Sequence, residues 1–123
     1  MINFQEYIPD TLDDAISIIY QNLDPSEKDS LKKYGHAAFH HGFGTSLRNG
    51  WGLWNKDSKL HQFFNREYEL GHADDMSALI LKGVEYKCRG EVYDPYHDVE
   101  LFRKHWIAYG IDPLTQENLD NEI

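Results

Sequence analysis

Apolar positions recur along most of the chain at the three-and-four spacing of an α-helix, and no stretch alternates with period two for long. Leu12, Ile16, Ile19, Tyr20 and Leu23 form the first stripe. Thr11, with Asp14 three residues on, makes an approximate capping box ahead of it, and Asp13 and Asp14 suit the positive end of the helix dipole. A second helix opens with Asp24 as N-cap, Pro25 at the first helical position and Glu27 at the third, and closes at Gly35 after Lys32 and Lys33. A third is predicted from His36 to Asn49, carrying Phe39, Phe43 and Leu47 on one face. Gly42 and Gly44 each cost such a helix about 1 kcal/mol relative to alanine, so either another element approaches closely there or the helix kinks. Gly50 is its expected left-handed terminator.

Beyond an aromatic loop at Gly50–Trp54, a fourth helix begins at Ser58 as its cap, with Leu60, Phe63 and Phe64 on one side. The fifth runs from Ala73 to Arg89. It has Asp74 and Asp75 in its first turn, an apolar face of Met76, Leu79, Ile80 and Val84, and Lys87 and Arg89 before Gly90, so charge complements the dipole at both ends. The sixth has Pro95 near its start, Gly110 after its end and a stripe of Val99, Phe102, Trp106 and Tyr109. From Ile111 onward the chain reads as a polar tail pinned by Leu114. The expected fold is therefore all-α: a compact bundle of five to six helices in a single domain over residues 1–111, with an acidic tail over 112–123.

Composition narrows the class. A chain of 123 residues can bury a core without metal or disulfide staples, and 14% aromatic content excludes a disordered one. Cys88 has no second cysteine to pair with, which fits a reducing cytosol. No apolar run approaches the ~20 residues of a membrane span. The opening MINFQEYIPD has neither a basic nor an apolar leader region, so the expectation is a cytoplasmic protein without a secretory signal.

The net charge of −9 is unevenly placed. Residues 1–30 hold Glu6, Asp10, Asp13, Asp14, Asp24, Glu27 and Asp29 against Lys28 alone, and residues 112–123 hold Asp112, Glu117, Asp120 and Glu122 with no base. The stretch between them is nearly balanced. Because chain ends tend to lie close together at the surface, Asp10, Asp13, Asp14, Asp24, Glu27, Glu117, Asp120 and Glu122 are expected to share a face that steers a basic protein partner. Direct nucleic-acid binding is not expected, since no Lys/Arg stripe is present to displace counterions.

Chemical motifs are sparse. His36 and His40 would share a helix face and could grip a metal, but further ligands such as His61, His72, Cys88, His97 or His105 would have to arrive by folding. No metal and no cofactor are expected. Gly42-Phe43-Gly44-Thr45-Ser46 is neither a nucleophile elbow nor a phosphate loop. Asp74 and Asp75 diverge by ~100° on a helix and make no acid/base pair, so catalysis is not expected. The densest segment is Leu47-Arg48-Asn49-Gly50-Trp51-Gly52-Leu53-Trp54. Its indoles either seal the core or form an interface anchor, and the core is the favoured place for both Trp51 and Trp54. Arg48 is expected to make a bidentate pair with Asp74 or Asp75 and hold this loop against the fifth helix.

From Ile8 to Trp106 the chain resembles a family of small uncharacterised bacterial domains. The residues that carry the resemblance are Ile8-Pro9-Asp10-Thr11-Leu12-Asp13-Asp14-Ala15, His41-Gly42-Phe43-Gly44, Arg48-Asn49-Gly50-Trp51-Gly52-Leu53-Trp54, Leu60 to Phe64, and Asp74-Asp75-Met76-Ser77. It implies a compact helical domain and no activity. The functional expectation is an immunity or inhibitor protein that neutralises a basic partner such as a toxin nuclease domain. The alternatives are a phage-type inhibitor of a host defence complex by charge mimicry, a metal-binding or enzymatic domain using His36 and His40, and an oligomerisation module with Trp51 and Trp54 at a homodimer seam.

Overall fold

The computed structural model of the chain describes residues 8–119. They form six α-helices: α1 (Leu12–Asn22), α2 (Pro25–Tyr34), α3 (Phe43–Gly50), α4 (Lys59–Tyr68), α5 (Ala73–Cys88) and α6 (Tyr96–Ala108), with a 3-10 turn at His36–Phe39. Extended pairing among the described residues is confined to one isolated antiparallel bridge, Ile111 with Asn118. The fold is all-α and compact. Among the described residues no helix is long and apolar enough to cross a membrane.

The first two helices start where their caps place them. Thr11 Oγ1 accepts the Asp14 amide at 3.1 Å, and Asp24 and Glu27 close a reciprocal capping box at 2.7 and 2.9 Å. The long α5 is the axis of the bundle. Its expected apolar face, Met76, Leu79, Ile80 and Val84, is buried, and so are Ala73, Ser77, Leu81 and Gly83, because α1, α2, α3 and the 3-10 turn pack around it from several sides. At Gly83 the approach of α1 is so close that a Cβ would stand 2.2 Å from Ile16 Cδ1. Leu60 and Phe64 of α4, with Leu70 after it, complete the core.

Four expectations need correction. The helix predicted over His36–Asn49 is broken: residues 36–39 form the 3-10 turn, and α3 begins only at Phe43. A distant anchor and a glycine act together there. The His36 amide donates to Glu85 Oε1 at 2.7 Å, fixing the entry to the segment, and Gly42 offers no side chain to support a continuous helix through the next turn. Gly50 stays helical, and Gly52, with φ 64°, is the left-handed residue. The Leu53 amide then returns to the Arg48 carbonyl at 2.9 Å, which is a Schellman closure set two residues later than the sequence suggests. Ser58 does precede α4, but its hydroxyl donates to the Trp51 carbonyl at 3.2 Å and does not cap the helix. Tyr109 is not part of a buried stripe: it is 72% exposed, because α6 ends at Ala108 on the rim of the globule.

The polar tail, as far as Leu119, folds back on itself. Leu119 N donates to the Gly110 carbonyl and Asp112 N to the Glu117 carbonyl, both at 2.8 Å. Pro113 is buried, and its carbonyl accepts the Gly71 amide at 2.9 Å. A Cβ on Gly71 would collide with the Leu114 carbonyl oxygen at 1.9 Å, so backbone lies directly on backbone at this contact. The Leu114 side chain remains exposed.

Candidate functional site

Two groups of side chains converge at the start of α5. In the first, buried Arg48 reaches from α3 and places Nε 3.2 Å from Asp74 Oδ1. Its Nη1 donates to Ser77 Oγ at 2.8 Å and its Nη2 to Thr45 Oγ1 at 3.0 Å. The Ser77 hydroxyl donates to the Asp74 carbonyl at 3.1 Å, and Thr45 donates to the His41 carbonyl. Arg48 thus pairs with Asp74 and ties the α3 segment to α5. The pairing is through one nitrogen, not the expected fork, because two hydroxyls take the other donors. Gly44 makes room for this, since a Cβ there would lie 3.0 Å from Arg48 Nη1.

The second group is aromatic. The left-handed turn at Gly52 separates the two indoles of the loop: Trp51 and Leu53 are wholly buried, and Trp54 is 56% exposed. The expectation that both indoles lie inside therefore holds for Trp51 alone. Trp54 meets the His72 ring edge-on at 5.3 Å. His72 caps α5 through Nδ1, which accepts the Asp74 amide at 3.1 Å, and its ring stacks on Trp106 at 5.1 Å and 27°. Trp106 contacts His105 at 5.2 Å, and His105 contacts Tyr109 at 4.9 Å. Five rings from three segments form a continuous belt. Asp75 lies buried beneath it and accepts Trp106 Nε1–H at 2.7 Å. Burial pushes the Asp75 carboxyl upward, and the Trp106 hydrogen bond opposes that only in part.

Histidines 36 and 40 do not share an α-helical face, since the helix expected to carry them is broken. His36 Nδ1 lies 2.9 Å from Glu85 Oε1, and Arg89 Nη2 lies 3.3 Å from Glu85 Oε2. Burial alone would raise Glu85, but the side-chain and backbone bonds from His36 and the charge of Arg89 bring it below the ordinary carboxylate value. His40 is lowered, first by burial and then by the charge of Arg48. Among the described residues no three His, Cys, Asp or Glu side chains are grouped so as to hold a metal ion. A further network escaped sequence reasoning: Asp98 accepts Lys82 Nζ at 2.8 Å and the Tyr93 hydroxyl at 2.7 Å, joining α5 to the start of α6. Burial and the Asp98 carboxylate both drive the Tyr93 phenol upward.

Asn49 is exposed on the wall of an open cleft of about 510 Å³ shared with Asp10, Asn55, Asp57 and Lys59. Asp10, Asp13, Asp14, Asp24, Glu27 and Glu117 are all exposed. None of these six pairs with a cation among the described residues, whereas Arg48, Arg66, Lys82, Arg89, Arg103 and Lys104 each have a carboxylate partner within α4, α5 or α6 or at their ends. Asp120 and Glu122 lie outside the described residues.

A family model described as a domain of unknown function, DUF6794, matches residues 8–87. The chain belongs to the DUF6794 family. No curated protein and no solved structure matches it. The DUF6794 stretch begins at Ile8, as the resemblance does, and ends inside α5, short of Trp106. It holds Arg48, Trp54, His72, Asp74 and Asp75. His105, Trp106 and Tyr109 come from beyond it, so the aromatic belt is completed by residues outside the DUF6794 match.

Proposed function

We propose that this DUF6794 protein is a small protein-binding protein that neutralises a basic partner, as an immunity protein covers a basic toxin domain. The observation that carries this reading is the separation of paired from unpaired charge. Six cations of the body, Arg48, Arg66, Lys82, Arg89, Arg103 and Lys104, are answered by carboxylates of the body, while the acids of residues 10–27 stand exposed and pair with no cation among the described residues. Their field is therefore turned outward, and it accelerates encounter with a positively charged surface. Inhibition of a defence complex by charge mimicry uses the same physics on a different target. The lone Cys88 and the absence of disulfide stapling favour a reducing compartment for this encounter.

The test is association of the chain with the basic product of a neighbouring gene, followed by stopped flow at rising ionic strength. The rate is expected to fall steeply with salt. It should also fall at low salt when Asp10, Asp13 and Asp14 are changed together to Asn. A rate that ignores both salt and these substitutions removes the electrostatic basis of the proposal.

A further inference from the structure

We propose that the belt of Trp54, His72, Trp106, His105 and Tyr109 is the docking face on which arginine side chains of the basic partner stack, with Asp74 as the acid at its edge. The inference rests on the basic-partner reading and supplies it with a contact surface made of residues other than Asp10, Asp13, Asp14, Asp24 and Glu27.

The first support is a contrast with three other rings of this chain, although Tyr96, 59% exposed outside the belt, also has no cation over it among the described residues. Lys28 Nζ lies 4.0 Å from the centre of Tyr20, Lys33 Nζ 5.2 Å from that of Tyr34, and the Arg66 guanidinium 5.9 Å from that of Phe63. No lysine or arginine among the described residues lies over Trp54, Trp106 or Tyr109. Yet Trp54 and Tyr109 are 56% and 72% exposed. The belt offers π faces of the kind that cations cover elsewhere in the molecule, without a cation of its own.

The second support is rigidity. Trp106 is held by Asp75, and His72 by its capping bond to the Asp74 amide. Rings already fixed lose little freedom on binding, which is what gives aromatic anchors their weight at interfaces. The third is charge. Asp74 engages Arg48 through Oδ1 but keeps 48% of its side chain exposed, and its Oδ2 stands 3.9 Å from His72 Nδ1. An apolar occupant would strip water from this carboxylate without answering it. An anionic occupant would face both Asp74 and the negative faces of the rings. A guanidinium satisfies both, since it stacks on a ring and donates at its edge.

The experiment titrates the full chain with an end-blocked oligo-arginine peptide, reading tryptophan emission and calorimetry, beside oligo-lysine and oligo-glutamate peptides of equal length. Native protein is expected to bind oligo-arginine more tightly than oligo-lysine, to ignore oligo-glutamate, and to change its tryptophan emission on binding. The double variant Trp54→Ala, Tyr109→Ala removes two exposed rings outside the core. With its circular dichroism unchanged, it should lose on the order of tenfold in affinity for oligo-arginine. Equal affinity in native and ring-less protein, with loss instead on changing Asp10, Asp13 and Asp14 to Asn, overturns the belt and leaves the basic-partner reading standing. No binding of either cationic peptide at low salt overturns both. A native dimer that the ring-less variant converts to monomer in sedimentation assigns the belt to self-association and overturns the proposal.

Discussion

Arg48 and Asp75 are both buried charged residues, yet their environments ask opposite things of them. Arg48 has donors matched by Asp74, Ser77 and Thr45. Arg48→Met should destabilise by about 1–3 kcal/mol, mainly by removing the donor to the buried Ser77 hydroxyl oxygen, which keeps only its own bond to the Asp74 carbonyl. Asp74→Asn should cost less than about 1 kcal/mol, because that carboxylate is half in water. Denaturant melts of the two variants check the asymmetry, and equal losses would show that the ion pair, not the hydroxyl contacts, holds the loop. For Asp75 the acceptor function matters more than the charge. Asp75→Asn keeps an oxygen for Trp106 Nε1–H and should raise stability at neutral pH, whereas Asp75→Ala leaves that donor unmet and should cost about 1–3 kcal/mol. The Arg48–Asp74 contact was legible in the sequence, because an arginine within an aromatic loop and acids in a first turn are complementary types. The hydroxyls and Trp106 were not, since neither Thr45, Ser77 nor an indole nitrogen advertises its partner by spacing.

At the scale of elements, local signals located the caps of α1 and α2 and the extent of α5, and they misjudged segments governed by distant contacts. The break after His36 depends on Glu85, which lies in another helix. Close packing makes its own demands at two glycines. Gly83→Ala gains helix propensity of about 1 kcal/mol but drives a methyl into Ile16, so a net loss of about 1–3 kcal/mol is expected from overpacking at the α1–α5 contact. Thermal denaturation decides it, and a more stable variant would show that Ile16 swings aside freely. Gly71→Ala meets backbone, which cannot swing aside. It should free residues 110–119 from the body, raising their amide exchange while α5 stays protected. Unchanged exchange over that loop would show that other contacts hold it.

For the whole molecule, stability against pH reflects carboxylates pulled in opposite directions. Glu85 and Asp98 have folded values below their unfolded ones, Glu85 through His36 and Arg89 and Asp98 through Lys82 and Tyr93, each outweighing burial. Their contribution is complete above the unfolded value of about 4 and is lost as pH falls through the folded value. Asp75 is raised by burial, so the folded state holds its proton longer. Stability then declines as pH rises from about 4 through the folded value of Asp75. Asp75 thus lowers the melting temperature from the mildly acid side toward neutrality, while His40, lowered by burial and by Arg48, raises it as pH climbs toward its unfolded value of about 6.5. Asp75→Asn should flatten the decline toward neutrality and leave the acid limb intact, and Glu85→Gln should weaken the acid limb. A decline toward neutrality that survives Asp75→Asn would place its origin in other groups.

The order and type of the helices, the capping of α1 and α2, and the excess of acid near both ends follow from the sequence alone. Each depends on residues within a few positions of one another, where backbone geometry leaves little choice. Tertiary structure decided the fate of individual side chains. It buried Trp51 and exposed Trp54 across one left-handed glycine, and it turned Asp75 toward an indole beyond the family match. It also gathered rings from three segments into one belt. Those outcomes depend on which surfaces meet when helices pack, and spacing along the chain does not encode the meeting of residues that lie far apart in it.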